Sequence, residues 1–147
     1  MPQNLDKDGL RSKINSYELF FIDIWGVIHN GLEIFEDSIE VLENLKKNNK
    51  EFVLLTNAPR PNFTVIDFLK KMGLKKFYED VYTSGEASLK YLTENFLNSK
   101  FYHIGPPRDF DLFKRFEKNK VNNINQADYF ICTGLFEDQE AKLDYYK

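Results

Sequence analysis

A short apolar run that stops abruptly at a carboxylate limits the fold of this chain more than any other feature of the sequence. Residues 19–22 are Leu-Phe-Phe-Ile, and Asp23 follows at once. A continuous apolar run of this length is typical of a strand buried on both faces of a parallel sheet, because helices cover such a sheet on each side. We therefore predict a first parallel strand that presents Asp23 at its carboxyl end.

A second run of the same character leads to a second polar end. Residues 52–55 are Phe-Val-Leu-Leu, and Thr56 and Asn57 follow before Pro59 and Pro61. Proline cannot donate to a strand ladder, so the strand must stop there. Open parallel α/β sheets bind ligands beyond the carboxyl ends of their strands, and the two polar ends therefore predict a site at one sheet edge.

Segments with apolar residues at helical spacing follow these strands. Asp37 and Glu40 resemble a capping box, and the helix that they open is predicted to end at Asn48. The next helix is predicted to carry Phe63, Ile66 and Leu69 inward. It is predicted to end at Gly73, because glycine readily adopts the left-handed conformation of a helix terminator. The order strand-helix-strand-helix indicates a parallel α/β sheet with right-handed crossovers.

The same order continues through the rest of the chain. Residues 81–82 predict a short third strand, and Thr83 and Glu86 predict the capped start of another helix. Residues 101–104 and 129–132 predict two further strands on either side of a helical segment. We expect this last part to belong to a separate domain.

Composition excludes several functional classes. The chain has 147 residues, is 42% hydrophobic and 29% charged, and has a net charge of −3, as expected for a globular protein without a basic face. We therefore expect neither nucleic acid nor a membrane as partner. Residues 1–15 contain no apolar run, so they predict no signal peptide, and Cys132 is expected to be a free thiol in the core. Both observations agree with a cytoplasmic location.

The residue types at the two strand ends suit phosphate chemistry. The carboxylate of Asp23 can attack phosphorus or hold a divalent cation, while Thr56 and Asn57 can donate hydrogen bonds to phosphoryl oxygens. Taken singly, each residue is better explained as part of a turn or a loop. Gly26 and the Asn-Gly pair at residues 30–31 weigh against that explanation, because a hairpin-type turn there would place a flap over the carboxylate.

These segments resemble a known family. Residues 20–31 resemble the first motif of the haloacid dehalogenase-like (HAD) superfamily, and residues 54–57 resemble its second. The chain also resembles the NagD-like branch of the superfamily, subfamily IIA, at residues 58–61, 83–87 and 102–105. This branch contains sugar phosphatases and relatives of the N-acetylglucosamine-phosphate phosphatases. The similarity covers nearly the whole chain from about Leu19 onward.

The resemblance implies an α/β fold, with a HAD-like Rossmannoid parallel sheet as a partial core and the start of an inserted α/β cap domain. Residues 1–98 would form the N-terminal part of the core, and residues 99–147 would form part of the cap. It also implies a phosphatase that acts on a small phosphorylated metabolite through an aspartyl-phosphate. The resemblance thus predicts an enzyme of the hydrolase class.

The resemblance also implies roles for individual residues. Asp23 would be the nucleophile, and its carboxylate together with the backbone carbonyl of Trp25 would bind Mg²⁺. Thr56, Asn57 and Gly26 would bind the phosphoryl group. Catalysis of this kind depends on positioning and on electrostatic stabilisation of the phosphoryl charge.

One departure from the family pattern concerns proton transfer. Trp25 stands where phosphatases of the superfamily usually have a second aspartate as general acid and base, and an indole N–H cannot shuttle a proton. His29 is the nearest titratable candidate, although an ordinary histidine on the flap surface explains it equally well. Arg60 is expected to be a solvated surface residue, and His103 a hydrogen-bonded strand residue.

A second departure concerns motifs that the family carries after the cap, a lysine and a pair of carboxylates. We do not find them in this sequence, and we expect an N-terminal fragment that is inactive alone. Its exposed apolar strand edge would favour self-association or a complementing C-terminal half. A non-catalytic remnant that binds phosphate or a partner is the alternative. A receiver-like or nucleotide-binding module is disfavoured, because no glycine-rich loop follows the first strand.

Overall fold

The computed structural model describes residues 9–136, together with Lys142 and Asp144. This part of the chain contains five strands and three α-helices, which follow one another as β1 (Leu19–Asp23), α1 (Glu36–Lys47), β2 (Glu51–Thr56), α2 (Asn62–Lys71), β3 (Val81–Thr83), α3 (Ser84–Asn95), β4 (Phe101–Ile104) and β5 (Tyr129–Cys132). Segments of 3-10 helix occupy Leu10–Ser12, Ile14–Ser16, Pro107–Asn119 and Ile124–Gln126. The predicted alternation of strands and helices is confirmed.

The strands form two sheets. The first has the order β1-β2-β3, and β1 pairs with β2 in parallel, with Asp23 opposite Leu55. The second consists of β4 and β5, which are also parallel, with Phe101 opposite Tyr129. Parallel pairing requires crossover connections, which the helical segments between the strands provide. The predicted parallel α/β architecture is therefore confirmed.

Strand β1 lies at the edge of the first sheet, and one of its faces is open. Leu19 is 43% exposed and Phe21 is 68% exposed. The prediction that this strand is buried on both faces is wrong, because the face that carries Leu19 and Phe21 is exposed. The observed exposure agrees instead with the expectation of an uncovered apolar strand edge.

Helix α1 begins differently from the prediction. Phe35 occupies the cap position and makes no side-chain capping bond, and the first turn contains Glu36 and Asp37. The predicted capping box of Asp37 and Glu40 is therefore wrong, because Asp37 lies inside the helix. Acidic side chains in the first turn still stabilise the helix through its dipole. The predicted end is confirmed, since Asn48 forms the C-terminal cap.

Helix α2 ends as predicted, but one of its three predicted inward residues points outward. Gly73 follows the helix with a φ of 104°, the conformation that the predicted terminator requires. Leu69 is fully buried, as predicted, and Ile66 is partly buried, whereas Phe63 is 64% exposed. The prediction that Phe63 points inward is therefore wrong.

The second sheet has its own hydrophobic core. Phe101 of β4 packs against Phe113 with ring centroids 5.3 Å apart. The helical segment that carries Phe113 is a run of 3-10 turns with a kink at Phe116. The buried members of this core are Leu92, Phe101, Leu112, Phe113 and Phe116.

Packing divides the chain into two compact units. The first consists of Met1–Thr56 and Ile66–Tyr82, and the second of Asn57–Val65 and Thr83–Lys147. The division at residue 98 predicted above concerns the architecture of the family, and it stays a prediction. None of the described helices is long and apolar enough to cross a membrane.

Candidate functional site

Asp23 and Thr56 end the first two strands of the first unit. In the parallel register Asp23 is opposite Leu55, and Thr56 is the next residue of β2. The backbone continues this pairing beyond β1, because the N–H of Ile24 donates to the carbonyl of Leu55 at 3.1 Å. The structure therefore brings a carboxylate and a hydroxyl residue to the same edge of one sheet.

The Asp23 side chain is exposed, and its carboxylate makes no hydrogen bond or ion pair within the described residues. Such a carboxylate is an oxygen donor of the kind that Mg²⁺ prefers. No group of three histidine, cysteine or acidic side chains that could hold a metal occurs in the part of the chain that the structure describes. Asp23 thus fits Mg²⁺ as a single protein carboxylate, and water and a substrate phosphate would have to supply further oxygen ligands.

The turn after β1 depends on a glycine. Gly26 has a φ of 76°, and its N–H donates to the carbonyl of His29 at 2.8 Å. The N–H of Ile28 closes the turn by donating to the carbonyl of Ile24 at 2.8 Å. Because the N–H of Gly26 is already bonded, any contribution of this residue to phosphate binding must come from its lack of a side chain.

His29 lies inside this turn rather than on its surface. It is 3% exposed, and its Nδ1 accepts the N–H of Gly31 at 2.9 Å. Its ring meets those of Trp25 and Phe68 edge to face, at 5.2 and 5.6 Å. Burial lowers the pKa of His29, so the ring is held neutral with a lone pair on Nδ1. The expectation of a flap-surface histidine is wrong, and a proton donor is disfavoured here.

Asn57 falls in the second unit, one residue beyond Thr56. Its carbonyl and that of Ala58 both accept the hydroxyl of Ser84 at 2.9 Å. Ser84 begins α3, whose cap is Thr83, and the Thr83 hydroxyl accepts the N–H of Glu86 at 2.9 Å. The predicted capping function of Thr83 is confirmed. The Glu86 carboxylate accepts a different donor, the N–H of Asn62.

Arg60 is an ion-paired residue of the second unit. Its Nη1 lies 3.0 Å from Oδ2 of Asp111, and its Nη2 lies 3.8 Å from Oδ1 of Asp109. The expectation that Arg60 is simply solvated is therefore wrong. The two aspartates are about fifty residues away in sequence, so no local pattern identifies them as its partners.

Two other single residues were given structural roles from the sequence. His103 is a buried residue of β4, and its Nε2 lies 2.8 Å from the hydroxyl of Thr133. Burial and, to a smaller extent, Lys120 lower its pKa, while Asp109 opposes the shift. The predicted hydrogen-bonded strand histidine is confirmed. Cys132 is exposed, so the expectation of a core thiol is wrong.

Comparison with known proteins identifies the family. A model of the haloacid dehalogenase-like hydrolases matches residues 20–117, which include both strand ends and the loop that follows each of them. The chain belongs to this HAD family of hydrolases.

Individual HAD proteins resemble the chain over about half of their own length. The 5'-nucleotidase YutF of Bacillus subtilis is 26% identical over 123 residues, which are 83% of this chain and 47% of that protein. The structure of a HAD-like hydrolase from Brucella suis 1330 is 28% identical with a TM-score of 0.75, covering 99% of this chain and 53% of its own. The 4-nitrophenylphosphatase of Thermotoga maritima is 26% identical with a TM-score of 0.64, covering 81% and 45%.

The branch of the HAD superfamily is also established. A structure described as a putative NagD protein is 27% identical with a TM-score of 0.61, covering 78% of this chain and 45% of its own. The predicted membership of the NagD-like branch is therefore confirmed. The chain spans about half the length of the curated relatives and solved structures that it matches.

Proposed function

We propose that this HAD-family chain provides the nucleophile and the phosphate-binding residues of a phosphatase for small phosphorylated metabolites. The observation that carries the proposal is the register of β1 and β2, in which Asp23 is opposite Leu55 and therefore beside Thr56. The names of the related 5'-nucleotidase and 4-nitrophenylphosphatase support a phosphate monoester as the substrate class.

The proposed reaction has two steps. An oxygen of the Asp23 carboxylate attacks phosphorus, the bond from phosphorus to the ester oxygen breaks, and the leaving oxygen takes up a proton. Water then attacks the aspartyl-phosphate, which releases inorganic phosphate and restores the carboxylate. Thr56 and Asn57 would donate hydrogen bonds to the phosphoryl oxygens through both steps.

Mg²⁺ belongs to this proposal as a cofactor. The Asp23 carboxylate and the backbone carbonyl of Trp25 would hold the ion, which would offset the negative charge of the phosphate. Without a cation, the carboxylate and an incoming phosphate would repel each other. Asp23 has no cationic partner among the described residues, so this role is not taken by a side chain there.

The proposed reaction needs a proton for the leaving group, and the described residues beside Asp23 provide no donor for it. Trp25 cannot transfer a proton, and Nδ1 of His29 accepts a backbone N–H inside the turn. A proton would have to come from water or from a group outside the described residues. We therefore propose that the 147-residue chain alone binds phosphate without turning over its esters.

A non-catalytic phosphate-binding protein is the second candidate. It is favoured by Trp25 at the position of the usual acid, and by Asp23 as an isolated carboxylate in the described part of the chain. Both candidates predict a phosphate site at Thr56 and Asn57, but only the phosphatase requires Mg²⁺ on Asp23. A cytoplasmic location is part of either proposal.

The test is a titration with inorganic phosphate, with and without Mg²⁺, of the chain and of an Asp23→Asn variant. The backbone amide signals of Thr56 and Asn57 are followed by NMR, and turnover of a panel of sugar and nucleotide phosphates is measured in parallel. We expect phosphate binding that strengthens with Mg²⁺ in the natural chain, and no dependence on Mg²⁺ in the variant, because the carboxylate is gone.

The outcomes separate the candidates. Phosphate binding that is unaffected by Mg²⁺ in both the natural chain and the variant favours the non-catalytic candidate. Amide signals that do not move at any phosphate concentration exclude a phosphate site at these residues. Ester turnover by the natural chain would contradict the proposal that it is inactive alone, and turnover that remained in Asp23→Asn would in addition contradict Asp23 as the nucleophile.

A further inference from the structure

The segment of residues 57–65, which we call the 57–65 loop, carries Asn57, includes the first turn of α2 and lies against the first turn of α3. The N–H of Gly85 donates to the carbonyl of Ala58 at 3.2 Å, and the hydroxyl of Thr83 donates to the carbonyl of Arg60 at 2.5 Å. The approach is so close that a Cβ added at Gly85 would lie 2.3 Å from the Arg60 carbonyl oxygen. One side of the loop is thus fixed through its backbone.

The side chain of Arg60 fixes the loop to a second element, the helical segment Pro107–Asn119. Its guanidinium lies between Asp111 at 3.0 Å and Asp109 at 3.8 Å. Thr64, from the same loop, donates its hydroxyl to Oδ2 of Asp111 at 3.3 Å. Two residues of the loop therefore converge on one carboxylate.

Because this ion pair is partly buried, losing one of its partners is costly. The side chain of Asp109 is only 6% exposed, and those of Arg60 and Asp111 are 29% and 33% exposed. Removing one partner of a buried ion pair leaves an uncompensated charge, which is far more destabilising than losing a surface pair. The guanidinium is consequently committed to carboxylates and is poorly placed to serve an anionic substrate as well.

We propose that Arg60 is a positioning residue, held by Asp111 and Asp109, which keeps the loop of residues 57–65 in the conformation that lets Asn57 bind phosphate. The inference rests on the proposed function, because it assigns Asn57 to the phosphate site. It adds a dependence of that site on the segment Pro107–Asn119, through a side chain that does not touch phosphate.

The first test measures how firmly the loop is held. Asp111→Asn preserves the size of the side chain and removes the charge that faces Arg60, and Arg115→Ala removes an exposed arginine of the same segment as a control. Amide hydrogen exchange is followed at Gly85, whose N–H bonds to the loop, and at Asn62, whose N–H bonds to Glu86. Phe96, at the end of α3, is the reference.

We expect about tenfold faster exchange at Gly85 and Asn62 in Asp111→Asn, since a lost charge-assisted hydrogen bond is typically worth that factor. Exchange at Phe96 should not change, and Arg115→Ala should leave all three amides unaffected. Unchanged exchange at Gly85 and Asn62 would overturn the proposal. Equal acceleration at Phe96 would also overturn it, because the variant would then only loosen the whole unit.

The second test separates positioning from direct binding. Inorganic phosphate is titrated in the presence of Mg²⁺, and its dissociation constant is obtained from the amide signal of Asn57. We expect Asp111→Asn to weaken binding about tenfold, in step with the loosened loop. If Arg60 were itself a phosphate ligand, releasing it from Asp111 would tighten binding, and that result would overturn the proposal.

Failure of the proposed function gives a different result. A natural chain in which phosphate leaves the Asn57 signal unmoved would contradict the phosphate site, and with it the role of Asn57 in this inference. The exchange of Gly85 and Asn62 would still decide whether Arg60 holds the loop.

Discussion

Strands β1 and β4 have similar sequences but different surroundings. Both are short runs of aromatic and aliphatic residues in a parallel pair. Phe21 of β1 is largely exposed, whereas Phe101 of β4 is fully buried against Phe113. An apolar run can therefore specify a strand without specifying its burial, because burial depends on whether another layer of the chain reaches that face.

Truncating one phenylalanine in each of the two units gives the largest contrast in stability. Phe113→Ala removes a buried ring from the core of the second unit, and we expect the free energy of unfolding to fall by about 3–5 kcal/mol. Phe21→Ala removes an exposed ring, and we expect a change within about 0.5 kcal/mol. Urea denaturation of the two variants measures both values. Similar losses of unfolding free energy in the two variants would contradict the difference in burial, since they would mean that Phe21 is covered in solution.

Adding one methyl group at a glycine of each unit, Gly85 of the second and Gly26 of the first, gives a smaller contrast in stability. Gly85→Ala would place a Cβ against backbone atoms of Arg60, and we expect a loss of about 3 kcal/mol, the upper end of overpacking effects. Gly26→Ala has open space, and only its φ of 76° is unfavourable, which costs about 1–2 kcal/mol. Thermal or urea unfolding provides the measurement. A larger loss at Gly26 would show that the turn after β1 is the more tightly packed of the two.

Each region also contains a buried histidine with a lowered pKa. Burial is the main cause for both His29 and His103. Below pH about 6.5 the unfolded chain takes up protons that the folded histidines resist, so the free energy of unfolding falls as the pH falls. The stabilising contribution is complete above that pH and is lost towards the lowered folded pKa.

The expected slope is at most about 1.4 kcal/mol per pH unit for each histidine. Denaturation at several pH values of His29→Gln and His103→Gln would separate the two contributions, because each variant should flatten the dependence by its own share. The unsubstituted chain is the control at every pH. A stability that is constant below pH about 6.5 would contradict the neutral, buried state of both rings.

Local signals in the sequence were good predictors of strands and of helix ends. The cap at Thr83 and the terminator at Gly73 each depend on a few neighbouring residues, and both predictions are confirmed. The polar strand ends at Asp23 and Thr56 followed from the same local reasoning. The parallel pairing that brings these two residues to one edge was predicted from the alternation of strands and helices.

Features that depend on distant residues were missed. Arg60 is bound by Asp109 and Asp111, which lie far from it in sequence. His29 is buried partly by Phe68, which is also distant in sequence. The face that a side chain presents is set by such contacts, which explains why Phe63 was wrongly placed inward. The local signal overlooked was the spacing of His29 and Gly31 within the predicted turn, because a histidine two residues before a glycine can accept its backbone N–H.

Trp25 is the only tryptophan of the chain. Its ring meets His29 at 5.2 Å and lies two residues beyond Asp23, so the tryptophan fluorescence of the protein has a single origin within the turn after β1. With excitation that is selective for tryptophan over the eight tyrosines, titrations with ions or esters can be followed in the unlabelled protein, and a change in that emission reports on a chromophore beside the candidate nucleophile.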